Sequence, residues 1–348
     1  MKSGNALKKY VALLLAFVVL ASVTMVGFGT VAMAEDTITV VWYPNESASD
    51  YDAARQEYCD LIAAATGKKV EQKLTTDYSI AIEAIASGTA QISFMGAQGY
   101  IEAHNKNANV LPLFVNSGAS GTLDDAIYYS WLCVNKGDEE NYKIDGAYSL
   151  DTLEGKRMSF VSNSSTSGFK IPTSAIISHF AKTEKWANIT TDDLIEGGDG
   201  MFFSEVLFGN SHQGSAVNLL TGKADVAAFC DTELALYADC VSGTPSTKDA
   251  VYEIKSDATA PFDTLVGKQF VLINSIPVLN GPFAYNADTL SAEDVEKIQA
   301  VFTSNEVASN PLIFVPADSG NVGMFKKSGD ERFLTVDDSW YDPIRNLQ

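Results

Sequence analysis

From Ile38 to Tyr100 the chain repeats one short unit, an apolar run followed by a segment with helical spacing. This repetition restricts the fold more than any other feature of the sequence. Residues 38–43 read as a buried strand. Residues 50–66 place Tyr51, Ala54, Tyr58, Leu61, Ile62 and Ala65 on one helical face, and Gly67 ends that segment. A strand over 70–74 follows, and Thr76 or Asp77 then caps a helix over 80–86 that stops at Gly88. Residues 92–95 form the next strand and deliver the chain to Gly96 and a helix carrying Tyr100. Alternation of this kind predicts an α/β fold with mainly parallel sheets flanked by helices. Ligands on such sheets bind beyond the carboxyl ends of the strands. By that rule residues 43–46, 76–78 and 96–100 face one cleft.

A second stretch, residues 156–172, carries the chemistry. It begins as an apolar strand (Met158, Phe160, Val161) and passes through Ser162, Ser164, Ser165, Thr166 and Ser167 to turn at Gly168. Ile171, Ala175, Ile176, His179 and Phe180 follow at helical spacing. The free N–H groups of a first helical turn and its dipole favour an anion, and hydroxyls add donors. Gly168 would let the backbone approach a ligand closely. One hydroxyl, Ser165 or Thr166, would suffice to cap the helix. Five hydroxyls in six positions point beyond a cap to a bound oxyanion.

The N-terminus has the pattern of an export signal. Lys2, Lys8 and Lys9 precede an apolar run over residues 10–31, and Ala32-Met33-Ala34 supplies a cleavage pattern before acidic residues. The expectation is cleavage near Ala34, although the run is long enough to serve as a membrane anchor if left uncut. No cysteine stands there to carry a lipid. Without residues 1–34 the chain keeps 21 basic and 44 acidic residues, a net charge of −23. Nucleic acid and anionic membrane surfaces are poor partners for such a chain, so an anion must be held by local dipoles and hydroxyls. Cys59, Cys133, Cys230 and Cys240 fit no zinc spacing, and three histidines are too few for a His-rich metal site. No metal or other cofactor is expected. Cys133 reads as core, and pairing of Cys230 with Cys240 is left open.

The remaining 314 residues exceed one compact core and call for two lobes. A strand over 126–134 crosses to a second lobe. There the 156–172 stretch, a strand near 202–208, the turn Gly209-Asn210-Ser211-His212, a helix to Leu220 and a strand over 226–229 follow in order. His212 is either a helix-cap histidine or an anion donor tuned by its surroundings. The chain crosses back near residues 270–275, and a helix over 292–302 and an irregular acidic tail complete lobe one. The boundaries are 1–34 for the signal, 35–129 and 273–348 for lobe one, and 130–272 for lobe two. Two lobes joined by two crossovers make the layout of a solute-capturing protein that closes by hinge motion.

The residues also resemble the substrate-binding proteins of phosphonate/phosphate-type ABC transporters, which have the two-lobed type II periplasmic-binding-protein architecture. The resemblance spans nearly the whole chain after the signal. It is carried by Thr76-Asp77-Tyr78, by Phe94-Met95-Gly96 with Tyr100, and by Leu153-Glu154-Gly155-Lys156-Arg157 ahead of Ser164-Ser165-Thr166-Ser167-Gly168. Gly209-Asn210-Ser211-His212, Gly222-Lys223-Ala224-Asp225 and Tyr341-Asp342-Pro343-Ile344-Arg345 add to it. It implies that Ser164, Ser165, Thr166 and Ser167, with the backbone at Gly168, Tyr100 and His212, hold a phosphorus oxyanion, and that Tyr78 lines the other wall. In aminoalkylphosphonate binders acidic residues also meet the ligand's ammonium. Asp231 or Glu233 stands near one such place, and Gly281 occupies the other, where an acid should be. The resemblance therefore implies a ligand without an ammonium, namely phosphate, phosphite or a simple alkylphosphonate. It further implies a monomer that delivers to the permease of an ABC importer. The alternative is a sensor or accessory module for another small anion, a sulfonate or carboxylate, uncoupled from transport.

Enzyme readings are weaker. Ser167-Gly168-Phe169-Lys170 matches the Ser-x-x-Lys nucleophile pattern but has no Ser-Asp-Asn or Lys-Thr-Gly partner. In Gly209-Asn210-Ser211-His212-Gln213, Gln213 stands where a nucleophile elbow needs glycine, and adjacent Ser and His make an awkward relay.

Overall fold

A computed structural model describes residues 37–317, 319 and 322–347. The signal segment lies outside the described residues. The chain from Thr37 onward builds two sheets, each covered on both faces. The first has six strands in the order Phe333–Leu334, Val110–Asn116, Pro282–Asn286, Ile92–Phe94, Thr37–Trp42, Lys69–Leu74. The second has seven, in the order Ala238–Ser242, Val251–Ile254, Gln269–Leu279, Ile127–Asn135, Val226–Cys230, Arg157–Phe160, Glu205–Phe208.

Burial on both faces explains the continuous apolar strands. In the first strand Ile38, Val40 and Trp42 enter one core with Tyr58, Phe114 and Phe283, while Val41 and Tyr43 enter the opposite core with Ile82, Ile85 and Tyr100. In the second lobe Leu132 and Val134 take one face and Trp131 and Cys133 the other. The two-residue period of a strand sorts these side chains. Helix Asp52–Thr66 buries Ala54, Arg55, Tyr58, Cys59 and Ile62. It ends where Gly67, at φ 71°, donates its N–H to the Ala63 carbonyl at 2.8 Å. Helix Tyr78–Ala86 starts at Asp77, whose carboxylate accepts from the Ser79 N–H at 2.7 Å, so Asp77 rather than Thr76 is the cap.

The α/β architecture is the expected one, with two adjustments. The sheets are mixed rather than mainly parallel: only the pairs built by strand–helix–strand units run parallel, and strands beside the crossovers run antiparallel. The tail is also less irregular than its sequence suggested. Phe314, Phe325 and Phe333 pack with Phe114, Phe283 and Phe302 against the first sheet, where Phe333–Leu334 adds an edge strand. Its charged residues hide an apolar spacing of ten or so residues that local periodicity does not register.

The chain passes between sheets along two long strands, Ile127–Asn135 and Gln269–Leu279, which pair antiparallel from Ile127↔Leu279 to Asn135↔Phe270. At their first-sheet end the Asn280 N–H donates to the Ala126 carbonyl at 3.0 Å, and its amide donates to the Asn116 carbonyl at 2.8 Å. Both crossovers thus lie side by side, an arrangement suited to a hinge. The four cysteines are all free, so the open pairing of Cys230 with Cys240 is not made: Cys230 is buried beside the interlobe cavity and Cys240 lies on a more exposed strand.

Candidate functional site

Between the sheets lies a cavity of about 80 Å³. Lobe one contributes Tyr43, Asn45 and Glu46 from the loop after its first strand, Tyr78 from the start of a helix, and Met95 and Gly96. Lobe two contributes Ser165, Thr166, Ser167, His212 and Glu233, and the crossover region adds Tyr128, Asn280 and Gly281. Among the described residues no lysine or arginine lines it.

The hydroxyl turn is placed by the strand Arg157–Phe160. Beyond it the chain makes one wide helical turn, Thr166–Lys170, and runs into helix Ile171–Phe180. Ser165 is the cap, its Oγ accepting from the Gly168 N–H at 3.1 Å. The Ser167 Oγ is buried and has no hydrogen-bond partner among the described residues. Thr166 reaches across the cleft, where its Oγ1 accepts from the Gln98 N–H at 2.9 Å. A hydroxyl that accepts keeps its own proton to donate.

His212 opens helix His212–Leu220, capped by Ser211, whose Oγ accepts from the Gly214 N–H at 3.0 Å. It is 4% exposed, and burial holds its pKa down to about 3, so the ring is neutral at physiological pH. Its backbone N–H donates to the Asn45 side chain across the cleft at 3.3 Å, and its Nδ1 has no partner among the described residues. On the opposite wall Tyr78 stacks on Tyr43 at 4.1 Å between ring centroids and accepts from the Asn45 amide at 2.7 Å. The Tyr43 hydroxyl is another buried group without a partner among the described residues.

The structure therefore brings Ser165, Thr166, Ser167, His212, Tyr78 and Glu233 together and sets four other expected residues apart from the cavity lining. The Tyr100 hydroxyl donates to Asp338 at 2.7 Å and its ring packs on Tyr341, so it faces the C-terminal segment. Ser164 donates to Glu102 at 2.6 Å, a cross-cleft contact outside the cavity. Gly168 is small for a different reason than expected: a Cβ there would strike the Val161 side chain. Asp231 accepts from the Tyr129 N–H at 2.8 Å and faces the wider opening beside the cavity.

Glu46 is the principal residue that motif reasoning passed over. It is 4% exposed, lines the cavity, and its Oε2 has no partner among the described residues. Burial, and then the Glu233 carboxylate, raise its pKa well above the usual range. Burial pushes Glu233 up to about 7, against the pull of a Gln213 amide at 3.4 Å. Only the topological rule that puts residues 43–46 at the cleft signalled Glu46. Gly281 also gains a physical reason. A Cβ there would collide with the Met95 carbonyl oxygen and lie 2.8 Å from the Gly96 Cα, so no acid fits at that place.

Comparison with known proteins places the chain in a family. The family model for the phosphonate periplasmic substrate-binding proteins of ABC transporters matches residues 40–341. The chain belongs to this family. The binding protein is 25% identical over 332 residues to the phosphate-import protein PhnD of Mycolicibacterium smegmatis, covering 90% of this chain and 85% of the relative. Its fold matches a binding-protein component of an ABC phosphonate transporter from Pseudomonas aeruginosa, with TM-score 0.62, 19% identity, and 89% and 85% of the two chains covered. It also matches PhnD1 of Prochlorococcus marinus in complex with methylphosphonate, with TM-score 0.61, 15% identity, and coverage of 90% and 97%. The two-lobed type II architecture is thus common to all three. The binding protein is the substrate-capturing component of a phosphonate/phosphate-type ABC importer, whose partners are a small ligand and a membrane permease. Among the described residues no helix is long and apolar enough to cross a membrane.

Proposed function

We propose that the interlobe cavity captures a single small phosphorus oxyanion, such as phosphate, phosphite or a short alkylphosphonate, and that the lobes close over it by hinge motion. The observation that carries this reading is a set of buried polar atoms, on residues lining one cavity, that have no hydrogen-bond partner among the described residues: Ser167 Oγ, His212 Nδ1 and Glu46 Oε2. Buried polar atoms are paired in the great majority of cases, so three such groups at one cavity ask for an occupant. Size agrees. A water needs about 10–15 Å³ of such space, so the cavity holds roughly six water-sized centres, close to the five heavy atoms of phosphate or methylphosphonate.

Affinity without lysine or arginine is feasible. A hydrogen bond to a charged group contributes about 1.5–3 kcal/mol, and four or five of them reach micromolar binding after ordering costs. Ser165, Thr166 and Ser167 supply donors from lobe two with His212, and Tyr78, stacked on Tyr43, closes from lobe one. In this reading the protein acts as a monomer after export and cleavage near Ala34, and it captures its ligand without transforming it, in keeping with its family of transport substrate-binding proteins.

Calorimetric titration of ligand-stripped protein with phosphate, phosphite, methylphosphonate, 2-aminoethylphosphonate and sulfate tests this. Micromolar or tighter binding of a small phosphorus oxyanion, with sulfate weak, is expected. Silence toward every phosphorus compound would overturn the reading.

A further inference from the structure

The cavity that must accept an anion holds two carboxyl groups. Glu46 comes from lobe one and Glu233 from lobe two, and both line the same space of about 80 Å³. Arg55 compensates Glu46 only in part, since burial and Glu233 outweigh its pull. Arg55 is 2% exposed, and its guanidinium is spent on the Glu46 and Ala48 carbonyl oxygens, Asp52 and Gln72. The other titratable groups acting on the pair are the Tyr43, Tyr51, Tyr78 and Tyr237 hydroxyls, the Cys230 thiol, neutral His212 and the Asp231 carboxyl. None of these supplies a positive charge at neutral pH. Two ionised carboxylates and an oxyanion in one buried space would repel with only partial compensation.

Cross-cleft contacts flank the pair. Gln213 spans the cleft, its Nε2 donating to the Asn45 carbonyl at 3.3 Å and to Glu233 at 3.4 Å. Asn45 is the residue before Glu46, and its side chain accepts from the His212 N–H. The contacts that join the lobes therefore adjoin both carboxyls. Glu46 Oε2 is left buried there without a hydrogen-bond partner among the described residues. A protonated Oε2 would be a donor rather than an orphan acceptor.

We propose that the pair Glu46 and Glu233 binds one proton in the closed cleft, and that this proton sits on Glu46, whose carboxyl donates it in a hydrogen bond to the bound oxyanion while Glu233 stays a carboxylate held by Gln213. The proton comes from solvent and adds to a carboxylate oxygen; no other bond changes. This inference rests on the oxyanion reading and adds to it the residues that determine which charge state the site accepts. An ammonium on the ligand is the competing way to compensate the pair. The proton is favoured because burial already raises the proton affinity of both carboxyls, and because Gly281 leaves no room for the further acid.

The test uses hypophosphite, a monoanion with no second ionisation, alongside methylphosphonate and 2-aminoethylphosphonate. Titrations in buffers of different ionisation enthalpy count protons taken up on binding. Hypophosphite is expected to bind with uptake of close to one proton at alkaline pH, its affinity falling about tenfold per pH unit there. Glu46→Gln carries a permanent amide donor, so it should keep binding and lose the pH slope, whereas Glu46→Ala should lose affinity at every pH. Glu233→Gln should also flatten the slope. Hypophosphite binding without proton uptake would overturn the proposal. So would a preference for 2-aminoethylphosphonate that Glu46→Gln abolishes, which would assign the pair to an ammonium. Failure of all phosphorus oxyanions to bind the unaltered protein would instead remove the reading on which the proposal rests.

Discussion

Gly281 shows how a single position decides which ligand chemistry is open to the site. Its missing Cβ leaves space for the Met95 carbonyl and the Gly96 Cα, so backbone rather than a mobile side chain fills the place. Introducing a side chain there forces backbone to move, and overpacking of this kind costs about 1–3 kcal/mol. Gly281→Asp should therefore lower thermal stability without raising affinity for 2-aminoethylphosphonate. Thermal denaturation and titration of the same variant check both parts; a stable variant that gains the aminoalkyl ligand would refute the steric account. His212 is decided at the same scale. Its sequence context allowed a cap or a donor, and burial resolves it into a neutral ring whose partnerless Nδ1 is at the cavity.

At the scale of elements, the cleft is closed by a turn meeting a helix start. The segment leading into helix Ala97–Lys106 lies against the wide turn Thr166–Lys170, and two contacts join them, Gln98 N–H to Thr166 Oγ1 and Ser164 to Glu102. Approach this close needs Gly96, because a Cβ there would lie 2.8 Å from Thr166 Oγ1. Gly96 is 'the residue before the helix' in an ordinary extended conformation, at φ −67°, so alanine suits its backbone and strains only the closed arrangement. Gly96→Ala should weaken ligand binding by about tenfold, the equivalent of ~1.4 kcal/mol, while the ligand-free protein melts as before. Small-angle scattering should show a smaller contraction on adding ligand. Unchanged affinity would mean that the lobes close without this contact.

The whole molecule carries the electrostatic cost of its cavity. Glu233 is raised from an ordinary 4.5 to about 7, so the folded state holds a proton that the unfolded chain gives up. Its contribution to stability is fully present below about pH 4.5 and is lost as pH rises through about 7. His212 acts in the opposite sense. With its pKa lowered from 6.5 to about 3, its contribution is present above pH 6.5 and lost as pH falls toward 3. The ligand-free protein should consequently be most stable in the mildly acidic range. Denaturant unfolding on either side of that range should show Glu233→Gln gaining roughly 1–3 kcal/mol on the alkaline side relative to the parent. A loss there instead would show that the carboxylate is stabilised in the fold by a partner.

Periodicity alone determined the strand–helix units from Ile38 to Tyr100 and the strand that leads into the hydroxyl turn, because each is written in contacts between residues a few positions apart. Residue chemistry was equally legible where a motif repeats donors, as in Ser164 to Ser167. Local spacing does not encode which sheet edge a strand joins, and so the antiparallel strands beside the crossovers and the aromatic packing of the tail appeared only in three dimensions. The same limit applied to the site. Tyr100, Ser164, Gly168 and Asp231 sit in motifs that suit an anion, yet packing gives each a different neighbour. Glu46 carries no motif at all. Its role is set by the meeting of two lobes whose residues are more than a hundred positions apart, and burial at that meeting, not residue type, decides which groups are charged.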